Sequence, residues 1–160
     1  MTVATPQDGH AEDPRARRPS DYPVLREVQL RWGDIDMYGH VNNAVYYMLM
    51  DTAINSWLVQ TTGVDPRELT ALGVVVETQC QYFKEIHFQA SPRIGIRLAA
   101  AGRSSVRYDV AFFLDDDSPC AVARFVHVYI DPVSRRPVDI PQPVRDALGR
   151  DARAGAALRP

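Results

Sequence analysis

The sequence predicts an α+β domain in which one curved antiparallel sheet wraps around a single long helix. Three observations carry that expectation. A glycine- and proline-free stretch from Asn43 to Gln60 is apolar at twelve of the sixteen positions from Ala44 to Val59. Almost everything from Gly73 to Asp131 alternates with period two and is punctuated by turn residues. And 160 residues with 46% hydrophobic content and 24% charge suffice for one core, which at this size needs no metal or disulfide staple.

Taken in order, residues 1–20 hold Pro6, Pro14, Pro19 and mixed charge but no aromatic. Such a segment buries too little to offset its ordering entropy, and it reads as a mobile tail before a domain spanning 21–143. The first strand is expected from Tyr22, with Val24, Arg26, Val28, Leu30 and Trp32 on one face. The helix follows, capped by Asn42 or Asn43 and ended by Gly63. Its polar exceptions, Asp51, Thr52, Asn55 and Ser56, form one narrow stripe, so the helix must be covered on nearly every side. Four strands come next, turning at Gly102-Arg103 and again at Asp115 to Pro119, which makes the turn-linked strands antiparallel neighbours. Pro132, Pro137, Pro141 and Pro143 then carry the chain off the sheet, leaving 144–160 as a tail with a short frayed helix. A curved sheet leaves an unpaired edge, and pairing edges between protomers covers it, so a homodimer or homotetramer is expected.

Composition removes several function classes. A net charge of -2 gives no electrostatic reason to bind nucleic acid or anionic membranes, and the apolar run is too short and too interrupted to span a bilayer. No apolar segment behind positive charges marks an export signal, so a cytoplasmic protein is expected. Cys80 and Cys120 lack CxxC spacing and read as reduced core thiols, in keeping with that compartment. No GxSxG, GxGxxG or GxxxxGK[ST] is present, so a serine nucleophile elbow and the common nucleotide folds find no support, and no cofactor is expected.

One stretch stands apart, Arg31-Trp32-Gly33-Asp34-Ile35-Asp36-Met37-Tyr38-Gly39-His40-Val41-Asn42-Asn43. It places two carboxylates, an imidazole, two amides and two glycines just before an apolar helix, whose first N–H groups have no intrahelical acceptors. Such donors favour negative charge developing on an oxygen, and a carboxylate held opposite them would suit hydrolysis of an activated acyl group. The same residues also describe an ordinary turn and helix cap, and spacing alone leaves both readings open. Asp34 reads equally as a loop hydrogen-bond acceptor, and Asp51 as a tie to a neighbouring loop or subunit. With no second histidine near His40 in the chain, no metal site is expected. His87 and His127 fall in stretches read as strands, and His10 in the tail.

The run Asp34-Ile-Asp36-Met-Tyr-Gly39-His40-Val41-Asn42-Asn43-Ala-Val-Tyr46 resembles the signature of the hot-dog-fold acyl-CoA thioesterases of the 4-hydroxybenzoyl-CoA thioesterase type. The resemblance extends over about residues 22–140 and is specific in the loop and helix start. It implies that Asp36 is the catalytic carboxylate, as nucleophile or general base, and that the backbone N–H of Asn43 polarises the thioester carbonyl. It implies that Gly39, His40 and Val41 shape the loop joining these groups. It also implies CoA-phosphate contacts around Gly102-Arg103-Ser104, where Arg103 is the basic residue that matches. The implied partner is an acyl-CoA substrate, held in a pocket between protomers, with Tyr46, Tyr47 and Met50 as potential lining. Two other readings compete. Asp36 and His40, four apart, also fit a hot-dog enoyl-thioester hydratase, and a dimer that only binds acyl-CoA would need neither to react.

Overall fold

The computed structural model describes residues 13–157, with side chains through Arg150. Its sheet is built from β1 (Val24–Glu27), β2 (Leu72–Tyr82), β3 (Arg93–Ala101), β4 (Ser105–Phe113) and β5 (Pro119–Ile130). The spatial order is β1-β3-β4-β5-β2, with every neighbouring pair antiparallel. Period-two alternation on β4 sends Val106, Tyr108, Val110 and Phe112 to the face that carries the main core, while Ala111 and Phe113 turn to the other face beneath Tyr22.

Against the first face lies α1 (Asn43–Thr62), which buries Tyr46, Met50, Ala53, Ile54, Trp57 and Leu58. These positions repeat at three and four residues, the spacing of one helix face. Gly63 closes the helix in the left-handed conformation at φ +68°, its N–H donating to the Val59 carbonyl. The sequence expectation of a helix covered nearly all round is corrected here. Its own chain buries one face and half-buries Val45, Tyr47 and Leu49 beside it, but leaves Met48 and Val59 exposed.

The first strand is also shorter than alternation suggested. β1 pairs with β3 only as far as Glu27 opposite Arg93; the residue before the partner strand is Pro92, which has no N–H to continue the ladder. Its carbonyl still accepts the Val28 N–H at 3.0 Å. The chain then turns into a 3-10 turn at Trp32–Asp34, leaving Trp32 81% exposed.

Both termini depart from the tails expected. The expectation for residues 1–12 lies outside the described residues, but from Asp13 the chain forms 3-10 turns at Pro14–Ala16 and Pro19–Asp21, and Arg15 stacks over Phe83 at 5.0 Å. At the other end α2 (Gln142–Ala157) is a full helix rather than a short frayed one, with Val144, Ala147 and Leu148 buried. Among the described residues no helix is long and apolar enough to cross a membrane.

Candidate active site

The loop ahead of α1 is held by its own backbone. Asp36 N–H donates to the His40 carbonyl at 2.8 Å, Gly39 N–H donates to the Asp36 carbonyl at 3.1 Å, and Ile35 bridges Val41. Gly39 sits at φ +87°, a conformation that disfavours any side chain, which is why the turn uses glycine there. Asp34 is 2% exposed and its Oδ2 accepts the Arg31 N–H at 2.7 Å, while the Arg31 guanidinium donates to Oδ1 at 2.8 Å. Those hydrogen bonds hold its carboxyl below the usual range. Its own carbonyl accepts the Asn42 N–H at 2.9 Å, so Asp34 fixes where the loop meets the helix.

A second loop, between β2 and β3, is stitched to the first. Val41 N–H donates to the Ile86 carbonyl at 2.8 Å, and His40 bridges His87. His87 therefore belongs to this connection and not to a strand, a correction to the sequence reading. His127 does lie in β5, buried.

The two loops and the start of α1 enclose an open hollow of about 340 Å³. Asp36, His40, Val41 and Asn43 line it from the first loop and helix, and Tyr82, Lys84 and Glu85 from the other side. Tyr46 contributes from the helix and Phe83 from just beyond the end of β2. Within it, Asp36 Oδ1 accepts the N–H groups of Tyr38 at 2.8 Å and His40 at 3.3 Å. His40 Nε2 pairs with Glu85 Oε2 at 3.1 Å.

The helix start distributes its donors unevenly. Asn42 Oδ1 accepts the Ala44 N–H at 3.0 Å, and the Asn42 carbonyl accepts the Val45 N–H at 2.9 Å. Among the described residues nothing accepts the Asn43 N–H, which as the first helical residue has no intrahelical partner. The Asn43 carbonyl is occupied by the Tyr82 hydroxyl, which donates at 3.2 Å. The hollow is thus lined by Asp36, whose carboxylate accepts two backbone N–H groups, and by Asn43, whose helix-terminal N–H has no acceptor among the described residues.

Arg103 and Ser104 are not part of this hollow. They sit on the β3–β4 turn, where Arg103 pairs with Asp139 at 2.7 Å and its carbonyl accepts the Ile140 N–H. The Ser104 carbonyl accepts the Tyr129 N–H at 2.7 Å. Tyr82, Phe83, Lys84, Glu85 and His87 escaped sequence reasoning, the signal being a charged break where alternation ends after Tyr82. Lys84 is turned to Asp116 and Ser118. Neither cysteine offers a nucleophile: burial pushes the Cys80 thiol up to about 11 and also raises Cys120.

Comparison with known proteins places the fold and the family. The PA5185 protein of Pseudomonas aeruginosa PAO1 superposes with a TM-score of 0.79 at 41% identity, over 84% of this chain and 94% of that one. A thioesterase of Thermus thermophilus, solved with coenzyme A and Zn, superposes at 0.70 with 26% identity over 88% of this chain and 98% of that one. A 1,4-dihydroxy-2-naphthoyl-CoA thioesterase from Synechocystis shares the fold at 0.73 and 18% identity over 78% of this chain and 94% of that one. The YsmA protein of Bacillus subtilis strain 168 is 23% identical over 119 residues, which is 74% of this chain and 80% of that protein. The family model described as the thioesterase-like superfamily matches residues 30–148, from just before the Asp34 loop into α2. With a hot-dog sheet around one central helix and that match across most of its length, the chain belongs to the thioesterase-like superfamily.

Proposed function

We propose that the protein is an acyl-CoA thioesterase in which Asp36 supplies the reacting carboxylate and the Asn43 N–H polarises the thioester carbonyl. The observation that carries this reading is that Asn43, whose N–H has no acceptor among the described residues, lines the same hollow as Asp36. A thioester carbonyl oxygen accepting that hydrogen bond gains charge stabilisation as its carbon becomes tetrahedral. Asp36 then acts in one of two balanced ways. As a nucleophile its oxygen bonds to the acyl carbon, the CoA thiolate leaves, and water hydrolyses the resulting anhydride. As a general base it takes a proton from the water that attacks the same carbon. Gly39 and His40 act as positioning residues, one through its left-handed backbone and the other through its N–H to Asp36. Val41 lines the substrate side.

In this proposal the acyl group and CoA extend beyond one protomer. β2 is an eleven-residue edge strand with Val76 57% exposed, and Met48 and Val59 of α1 are exposed too. A second copy covering these residues gives a homodimer or homotetramer and completes the pocket. Arg103 and Ser104, remote from the hollow of their own chain, are kept as CoA-phosphate contacts supplied by such a neighbour. Two free thiols and a CoA ester as substrate both suit the cytoplasm.

The test is thiol release, followed with a thiol-reactive dye, from short, medium, long and aromatic acyl-CoAs. Release by the wild type that is lost in Asp36→Asn supports the proposal and ranks the acyl groups. Loss of an enoyl-CoA chromophore without thiol release would replace it with hydration, and tight CoA-ester binding with no turnover would replace it with binding alone.

A further inference from the structure

We propose that His40, Glu85 and His87 form a binding site for a borderline transition-metal ion of the Zn²⁺ class at the rim of the hollow. Their ligand atoms, two imidazole nitrogens and one carboxylate oxygen, lie within 4.8 Å of one another. In a tetrahedral zinc site with Zn–N and Zn–O near 2.1 Å, neighbouring ligand atoms stand about 3.4 Å apart. His40 Nε2 and Glu85 Oε2 already stand at 3.1 Å, so they match two corners of that tetrahedron. Closing the third corner takes a shift of at most about 1.5 Å by the exposed His87 side chain.

The backbone brings these residues together across 47 positions of sequence, through the bridge of His40 to His87 and the Val41 to Ile86 hydrogen bond. The His87 ring is oriented as ligating histidines are, because its Nδ1 lies 3.2 Å from the Gly39 carbonyl. With Nδ1–H donating there, the lone pair falls on Nε2. Two histidines and one carboxylate leave the fourth position to water from the open side, and this nitrogen-rich donor set selects Zn²⁺ or Co²⁺ over Mg²⁺ and Ca²⁺. The neighbouring Lys84 does not oppose the ion, since its ammonium is engaged by Asp116 and Ser118.

The test uses the full, untagged chain after chelator treatment and dialysis. Co²⁺ is titrated while its visible absorption is recorded, and Zn²⁺ is then added as competitor. The wild type is expected to saturate at one ion per chain with the intense bands of tetrahedral Co²⁺, to release it to Zn²⁺, and to ignore Mg²⁺. His87→Ala and Glu85→Gln are each expected to weaken Co²⁺ binding at least about tenfold, the least that even an outer-shell partner of a metal is typically worth. His87→Cys, which returns a ligand, is expected to restore it, so that a loss through misfolding is told apart from a loss of the site. Absence of saturable absorption, unchanged binding in His87→Ala, or no recovery in His87→Cys overturns the proposal. None of these readouts depends on thioester turnover.

Discussion

His127 gives the sharpest stability prediction. It is 2% exposed in β5, with ring centroids of Phe125, Tyr108 and Tyr129 at 5.0, 5.9 and 6.4 Å, and its Nδ1 has no hydrogen-bond partner among the described residues. A proton taken up there would bring an unpaired charge into an aromatic enclosure, and burial pushes the imidazole from 6.5 down to about 4. The unfolded chain therefore binds a proton between those pH values that the folded chain refuses. The stabilisation is fully present above about pH 6.5 and is lost as the pH falls toward 4, by about 3 kcal/mol in total. Asp34, whose carboxyl is held below 3.8, loses its contribution only at more acid pH, so the window above pH 4 isolates the imidazole. Urea unfolding of the wild type and His127→Phe should be compared at neutral pH and at about pH 5. Whatever the packing change costs at neutral pH, the wild type should lose about 2 kcal/mol more than the variant on acidification. Equal losses would refute the argument that this ring is buried neutral.

Gly95 and Gly39 test the backbone reasoning. A Cβ at Gly95 would stand 2.6 Å from Tyr22 Cγ, so Gly95→Ala must lift the ring that covers Phe113 on the outer face of the sheet. It should destabilise by about 2 kcal/mol in urea unfolding, whereas an unchanged midpoint would mean that Tyr22 is not held there. Gly39 is the opposite case, with nothing within 4 Å of its Cβ position but a φ of +87°. Gly39→Ala should cost about 1 to 2 kcal/mol through backbone conformation alone, seen as a lowered thermal midpoint, and Gly39→Asn should cost less.

The sheet and the central helix were legible because both repeat. Alternation in 73–131 and the unbroken run from Asn43 do not depend on distant partners, and β4, β5 and α1 formed where the pattern placed them. The first strand was overread because alternation continues through Trp32 while its ladder stops at Pro92, which only pairing reveals. α2 was underread because its proline-rich approach masks a helix that gains its buried face from docking. Of the residues that line the hollow, Asp36, His40, Val41 and Asn43 were legible since one short run carries them. Glu85 and His87 were missed because their nearness to His40 is created by a loop-to-loop hydrogen bond, which leaves no local trace in the sequence.

The central claim is that the Asp36 carboxylate and the Asn43 N–H together break the thioester. Asp36→Asn is the direct probe, since its amide oxygen can still accept the Tyr38 and His40 N–H groups and so preserve the loop. For the best acyl-CoA in the panel, kcat and the dissociation constant of a non-hydrolysable CoA thioether should be measured in both proteins. The account predicts that kcat falls by at least about 10²-fold while thioether binding stays within a factor of about three. A variant that keeps wild-type turnover would contradict it.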